Sequence, residues 1–451
     1  MRSIKVPLRP KRLCRCWNLS SHGLQSINPV RHLISMPNTI IPEGYKGVIG
    51  RFRAFTARNP PSKSVINRYT PQSDPLVDRL PIEILQLMFE FFVADGGHLG
   101  ILCRVSKRWR DAIAGYSRLW SYIHISRDAW GLQRAENSLA TRVRKSVLES
   151  EGNNLHVTID TRTWGTLPER PFNLALEQCA GEESTEMWRW ETLKLDLGDW
   201  VPTKYLRYFM PQLRELTYRT TRSYDLSSCF PDTAALSTLR LSGGCSTTWP
   251  ATIRSSVQYL HIESNHNSTL WYMLQQFTSI YSLFLMEMPD LKDVSKNETI
   301  CLSQLRELCV AFPEHGFPTF HAFLQLPSLT NLTLYTTKRM SLCRDQATEV
   351  SASFAGILPQ LEELSITHMG CSSANALRKT LYPATHLKTL ALNRCGRWEK
   401  NRGVEGDTIP SNPRLGETFY YVLEDSLLCP RLMRCVIEGV ERPNLVTLRE
   451  Q

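Results

Sequence analysis

The sequence predicts an α/β protein in which a short all-α module precedes a long solenoid of parallel strands. Two observations support this fold class. A pattern of the form apolar-x-x-apolar-x-apolar recurs between residues 190 and 437 of the 451-residue chain at a nearly constant spacing. Before it, residues 78–93 carry apolar side chains three and four positions apart, which is the spacing of a helix with a buried face. A short helical segment therefore leads into a much longer repetitive one.

The net positive charge is concentrated in the first 73 residues. They contain 13 Lys and Arg and one acid, Glu43, so their formal charge is +12. The whole chain carries +10, which leaves residues 74–451 close to neutral at −2. Because residues 1–73 are rich in Pro, Ser and Asn and have no helical or strand period, we expect a basic, disordered leader.

Three interpretations of this leader stay open. The first is a solvated tail, or a translation start at Met36. The second is a mitochondrial targeting segment, because residues 1–42 contain seven Lys and Arg and no acid, although prolines interrupt any long helix. The third is a nuclear-localisation or nucleic-acid patch at Arg9-Pro10-Lys11-Arg12. We expect the protein to be located in the cytoplasm or the nucleus, and the alternative is that the leader targets it to mitochondria.

The first helix is predicted over residues 78–93, and Asp95-Gly96-Gly97 is expected to end it. Ile82, Leu87 and Phe91 are apolar although they lie outside the main apolar face. A helix that is apolar on more than half of its circumference has to be covered on two sides. A module of about 50 residues buries little surface by itself. We therefore expect the surplus apolar surface to bind a partner protein, and the alternative is that the downstream domain covers it. The main face comprises residues 81, 84, 85, 88, 89 and 92.

A second helix is predicted at about 98–115, followed by a turn and a short strand. Three segments, Leu80-Pro81-x-Glu83-Ile84-Leu85, then Val105-Ser106-Lys107-Arg108-Trp109, then Leu119-Trp120, together resemble an F-box over residues 76–125. Ser106 stands where many F-boxes have Cys. The resemblance implies a three-helix motif that docks on a Skp-type adaptor, which links it to a cullin ubiquitin ligase. The adaptor-binding residues that it implies are Leu80, Pro81, Ile84, Leu85, Met88 and Trp109.

Residues 126–150 are predicted to form a linking helix, and residues 151–451 the solenoid. Seven of the nine spacings between the repeated patterns lie between 21 and 26 residues, within the ~20–29 of leucine-rich repeats. The chain resembles that family over about 190–440. The resemblance implies a horseshoe with a parallel sheet on its concave face. Only Cys395 occupies the Asn or Cys position that usually follows the strand, so the repeats are degenerate. The first apolar residues of the ten patterns are Trp190, Leu213, Leu236, Val257, Ile280, Leu305, Leu329, Leu361, Leu387 and Leu432.

Strand residues that alternate with the repeated apolar positions are expected to face the concave side of the sheet. An unusual group of large side chains occupies such positions, and exposed aromatic and Met residues are enriched at binding hot spots. We expect this group to bind the substrate. The alternative is a shift of strand register that buries Phe284 and Met286. The group comprises Tyr259, His261, Phe284, Met286 and Tyr335.

The sequence contains no catalytic motif, and its thirteen cysteines are scattered. We therefore expect no enzymatic activity, cofactor, metal or small-molecule ligand. No apolar run approaches the ~20 residues of a membrane-spanning helix, and the near-neutral body offers nucleic acid no electrostatic attraction. The predicted function is substrate recognition in a Skp–cullin–F-box ubiquitin ligase, with a Skp-type adaptor, a cullin and an unidentified protein substrate as partners. The alternative is a non-ligase scaffold or targeting protein that the leader directs to an organelle or nucleic acid.

Overall fold

The structure is a computed structural model, and it divides into two compact units, Met1–Gly115 and Tyr116–Gln451. The leader expected at 1–73 lies outside the described residues. The residues that the structure describes are 80–97, 99–126, 136–162, 170–198, 201–220, 222, 224–243, 248–263, 274–286, 299–312, 324–336, 346–367, 373–393, 395, 417–425, 427–437 and 440–442.

The described part of the first unit contains helices α1 (Ile82–Ala94), α2 (Leu99–Leu102) and α3 (Lys107–Ala114). The prediction of one helix over about 98–115 is wrong. Ser106 separates α2 from α3, because its backbone is extended (φ −154°, ψ 168°) and its hydroxyl accepts the amide N–H of Trp109 at 3.2 Å. Such a cap starts a new helix.

The described helices of the second unit are mostly short. These helices are α4 Ser117–Trp120, α5 Glu136–Glu149, α6 Arg170–Ala180, α7 Thr203–Leu206, α8 Ala251–Ser256, α9 Gln346–Phe354, α10 Ala374–Leu381 and α11 Glu417–Glu424. Single 3₁₀ turns occupy Glu182–Ser184, Met187–Arg189 and Leu358–Gln360. No helix in the described part of the chain is long and apolar enough to cross a membrane.

Fifteen strands are described in the second unit, and thirteen of them form one long sheet. They are β1 Tyr122–Ser126, β2 Leu155–Asp160, β3 Trp190–Leu197, β4 Glu215–Thr220, β5 Thr238–Gly243, β6 Tyr259–Ile262, β7 Ser282–Leu285, β8 Ile300–Cys301, β9 Glu307–Phe312, β10 Leu324–Gln325, β11 Asn331–Thr336, β12 Glu363–Thr367, β13 Thr389–Asn393, β14 Arg434–Ile437 and β15 Val440–Glu441.

The order of strands in this sheet follows the order in the chain. Among the described residues, thirteen strands pair in the order β1 to β7, then β9, then β11 to β15. Neighbours are parallel except for the final β14–β15 pair, and β8 with β10 forms a separate parallel pair. Parallel strands that advance one repeat at a time define a solenoid. The predicted α/β solenoid with a long parallel sheet is confirmed for the second unit.

The core is built from the repeated apolar positions. Every apolar residue of the ten patterns is buried, and equivalent residues pair across neighbouring strands, as Leu239 does with Leu260 and Leu260 with Leu283. Most of the alternate residues are half-buried or exposed, with Asp196 and Ala311 as buried exceptions, and they form the opposite face, here called the open face of the sheet. This register buries Leu283 and Leu285, so Phe284 lies on the open face.

The sheet starts before residue 151, where the sequence predicts that the solenoid begins. Strand β1 pairs in parallel with β2, and Ile123 and Ile125 are buried in the same core as the repeats. The helix expected as a linker is α5, whose buried Leu139, Val143 and Val147 belong to that core as well. Strand β1 and helix α5 are thus part of the solenoid, because their apolar faces are buried in its core.

Candidate protein-binding surfaces

The first candidate surface is one side of α1. Leu85, Phe89, Phe92 and Val93 are buried and form the inner side of this helix. Apart from Ile82, which is 42% exposed in the first turn, the remaining large apolar residues lie at positions i, i+3, i+4 and i+7, which places them together on another side of the helix. They are half-buried, apart from Leu87, which is 37% exposed. We call this set the outer face of α1, and it comprises Ile84, Leu87, Met88 and Phe91.

The residues implied by the F-box resemblance divide between the two sides of this unit. Leu85 is fully buried and Trp109 is 7% exposed, with its ring 4.7 Å from that of Phe89, so both support the fold of the unit. Ile84 and Met88 lie on the outer face. Pro81 is exposed and caps α1 by accepting the amide N–H groups of Ile84 and Leu85 through its carbonyl oxygen.

Leu80 is half-buried, and its carbonyl oxygen accepts a hydrogen bond from the Arg108 guanidinium. The implied set did not include Leu87 and Phe91, which share the outer face with Ile84 and Met88. Their departure from the main apolar stripe was the clue in the sequence. Such positions are not needed for the core of the unit and remain accessible to a partner.

The second candidate surface lies on the open face of the sheet. The rings of His261 and Phe284 have centroids 4.1 Å apart on the paired strands β6 and β7, and Phe284 stacks on Tyr335 at 5.7 Å. Strand β9 runs between Phe284 and Tyr335, and it carries the small residues Cys309 and Ala311 there. We call His261, Phe284 and Tyr335 the aromatic row.

The other two residues of the predicted group do not extend this row. Tyr259 is 44% exposed and contacts Tyr281, with ring centroids 6.2 Å apart. Met286 is half-buried and follows β7 directly. The structure thus brings His261, Phe284 and Tyr335 into contact, while Tyr259 and Met286 flank them.

Burial makes the polar groups of this region neutral near pH 7. It lowers the pKa of His261, an effect that Arg240 increases and Glu263 opposes, and it raises the pKa of Tyr335. It also raises the pKa of Cys309 to about 12, so this thiol is not a reactive thiolate. Within the described residues, no three His, Cys, Asp or Glu side chains are grouped to hold a metal ion.

Two polar atoms of the aromatic row lack hydrogen bonds. Nε2 of His261 and the hydroxyl of Tyr335 are shielded from solvent, and neither has a partner in the described part of the protein. An unmade hydrogen bond at a buried polar group costs free energy.

A groove of about 300 Å³ lies beside the aromatic row on strands β7, β9, β11, β12 and β13. Its lining includes Glu307 of β9 and Glu363 of β12, with Asn331 of β11 between them in the strand register. The Asn331 amide donates to Glu363 Oε2 at 3.2 Å. We call this feature the acidic groove. Its carboxylates were not among the residues predicted from the sequence.

No protein-family model matches this sequence, and no curated protein matches it. Among solved structures, an internalin (inlF) from Listeria monocytogenes is 14% identical, with 42% of this chain and 50% of that chain covered and a TM-score of 0.24. TLR13 in a complex with ssRNA13 is 13% identical, with 70% and 54% covered and a TM-score of 0.29. A leucine-rich-repeat protein of Leptospira interrogans is 15% identical, with 52% and 80% covered and a TM-score of 0.19.

The matched region spans about half the length of the internalin and TLR13 chains. At these identities and TM-scores, none of the three structures supports an inference about function. The solenoid assignment depends instead on the strand order and register of this chain.

Proposed function

We propose that this chain is a non-catalytic substrate-recognition subunit of a Skp–cullin–F-box ubiquitin ligase. The outer face of α1 carries the proposal. Ile84, Leu87, Met88 and Phe91 keep exposed surface on a helix whose inner side already fills its own core. An apolar helix side of this kind suits a protein partner. Its position within the F-box-like segment favours a Skp-type adaptor as that partner.

In this proposal the open face of the sheet binds a protein substrate. The chain itself performs no chemistry, in agreement with the neutral Cys309 thiol and with the absence of a catalytic motif from the sequence. It would act by proximity, because tethering raises the effective concentration of a substrate lysine near the activated ubiquitin.

The test is affinity purification of the full chain from cells, followed by mass spectrometry. The first variant is Leu87→Glu, which adds a carboxylate to the outer face. Its matched control is Ala114→Glu, which adds one at another exposed helix position in the same unit. We expect the wild type and the control to recover adaptor and cullin. Leu87→Glu should recover at least about tenfold less adaptor, because a charge facing an apolar partner surface loses its hydration.

A second variant combines Leu80→Ala and Pro81→Ala, which removes apolar surface at the start of α1. Thermal unfolding of each purified variant establishes that it is folded. Equal adaptor recovery by wild type and a folded Leu87→Glu protein would contradict the proposal. So would the absence of both adaptor and cullin from the wild-type preparation.

A second candidate function is that of a non-ligase scaffold or targeting protein. The observation that favours it is the charge of residues 1–73, with 13 basic residues against one acid. It predicts nucleic-acid binding that weakens steeply with salt and is lost on deletion of 1–73. Recovery of neither adaptor nor cullin, together with such binding, would favour this candidate over the ligase.

A further inference from the structure

We infer that the acidic groove binds a basic side chain, Lys or Arg, in an extended segment of the protein partner. The inference rests on the proposed function in one respect, namely that the open face of the sheet binds a protein. It does not depend on the adaptor or on the first unit.

The first argument is the unbalanced charge of the groove. Glu307 is half-buried and Glu363 is exposed, and neither forms an ion pair in the described part of the chain. The one side-chain hydrogen bond described for the two comes from the neutral Asn331 amide. The groove therefore presents two negative charges without compensation.

The cations near this part of the sheet are engaged elsewhere. Lys388 pairs with Glu362 at 2.8 Å, and the Arg306 guanidinium lies over the ring of Tyr281 at 5.8 Å. Arg434 ends the same register row, two strands beyond Glu363. None of these three forms an ion pair with a groove carboxylate among the described residues.

The opposite half of the sheet behaves differently. Glu215 pairs with Arg240 at 2.9 Å, and Glu263 pairs with Arg219 at 2.9 Å. Acidic residues on β4 to β6 are thus neutralised within the protein, while those on β9 and β12 are left for a partner. Protein interfaces use complementary charge to select a partner and to fix its register. A positive charge on the partner would complement the carboxylates of the groove.

The second argument is the shape of the groove. Its remaining lining consists mainly of small or hydroxyl-bearing side chains, which leaves a volume of about 300 Å³. That volume would hold roughly ten waters, so a long unbranched side chain fits. The small lining residues are Ser282, Cys309, Thr333, Ser365, Thr389 and Ala391.

The aromatic row suits the stem and the charged end of such a side chain. Phe284 faces Cys309 of the groove in register, and Tyr335 lies two residues beyond Thr333. Aromatic rings attract cations over their faces and pack against aliphatic stems.

The dimensions favour a polypeptide over a small cation. Glu307 and Glu363 are two strands apart, which is about 10 Å, and a single metal ion contacts its oxygen ligands within about 2.6 Å. The groove crosses five neighbouring strands, or roughly 19 Å, which matches about six residues of extended chain. An extended peptide therefore matches the length of the groove, and a basic residue in it supplies charge of the opposite sign.

A display library of random peptides is the probe, and the full chain is the bait. The test variant is Glu307→Gln with Glu363→Gln. Its matched control is Glu182→Gln with Glu183→Gln, because these residues are exposed in a 3₁₀ turn away from the sheet. We expect the wild type and the control to enrich peptides with Lys or Arg, and the test variant to lose that preference.

A selected peptide then gives a dissociation constant by fluorescence anisotropy. We expect the test variant to bind it at least about tenfold more weakly, and the control within about twofold of wild type. The affinity should also fall as salt is raised. A charge exchange, Glu307→Lys with the peptide Lys changed to Glu, should restore part of the lost binding.

Three outcomes would overturn the inference: no peptide is enriched, the selected peptides lack basic residues, or their affinity survives Glu307→Gln with Glu363→Gln. Adaptor recovery is measured on the same variants and should be unchanged. If the peptide experiment fails while the wild type still recovers the adaptor, only the proposal for the acidic groove is rejected. Absence of adaptor and cullin from the wild type rejects the ligase and leaves the peptide result standing.

Discussion

The Tyr335→Phe substitution is expected to stabilise the solenoid. The Tyr335 hydroxyl is shielded from solvent and has no hydrogen-bond partner among the described residues. The ring stacks on Phe284 with centroids 5.7 Å apart, a contact that Phe would keep. The substitution therefore removes an unsatisfied polar atom and preserves the packing of the ring.

The expected gain follows from the cost of burying a hydroxyl. That cost is about 1–3 kcal/mol in protein mutational data when no hydrogen bond compensates. Because Tyr335 as a residue is only half-buried, we expect the lower end, about 1 kcal/mol. In a chain of this size such a gain raises Tm by roughly 2 °C.

Tyr224→Phe provides the matched control. Tyr224 is also half-buried, but its hydroxyl donates to the Gly198 carbonyl at 2.9 Å. Its loss should destabilise the protein by about 1 kcal/mol, so the two substitutions should shift Tm in opposite directions. Thermal unfolding of both variants beside wild type measures this. A Tm decrease for Tyr335→Phe that equals that of Tyr224→Phe would refute the reasoning, because the hydroxyl would then have a partner.

Three further predictions concern the solenoid. Gly243→Ala should destabilise it by at least about 3 kcal/mol in chemical unfolding, because Gly243 has φ +85° and an added Cβ would overlap the Thr220 carbonyl oxygen. Arg189→Met should cost about 3–5 kcal/mol, since the buried guanidinium donates to the Asn153 carbonyl at 3.0 Å and pairs with Glu186 at 2.5 Å. A loss under 1 kcal/mol would contradict either prediction. Burial lowers the pKa of His261 below its ordinary 6.5, so the unfolded chain takes up the proton first and stability should fall as pH drops below 6.5. His261→Gln should flatten that fall in unfolding midpoints measured from pH 7 to 5, and an identical pH profile would count against it.

The solenoid could be predicted because its energetics are local and repeated. Each strand buries the same apolar positions against the equivalent positions of its neighbours, so one spacing in the sequence encodes both the strand and its register. Ser106 could have been recognised as well, because it stands three residues before Trp109 and suits a helix cap. The apolar residues Leu102, Val105 and Trp109 keep helical spacing on both sides of Ser106, however, and that spacing hides the break.

The start of the sheet could not be placed from the sequence. Ile123 and Ile125 alternate over a few residues only, and Leu119-Trp120 before them completes the F-box-like pattern. This short strand belongs to the core of the solenoid because it pairs with β2, which lies more than thirty residues later in the chain. Tertiary pairing of this kind leaves no local trace in the sequence.

The candidate site was predictable for its aromatic residues and not for its charges. Phe284 and Tyr335 are conspicuous at solvent-facing positions, whereas Glu307 and Glu363 belong to the commonest class of surface residue. What distinguishes the two carboxylates is the lack of a cation on the strands beside them, in contrast to Glu215, which has Arg240. Such a deficit exists only after strands far apart in the sequence are aligned. Charge on a solenoid surface therefore has to be evaluated along register rows, because the net −2 of residues 74–451 conceals both the neutralised half of the sheet and the acidic groove.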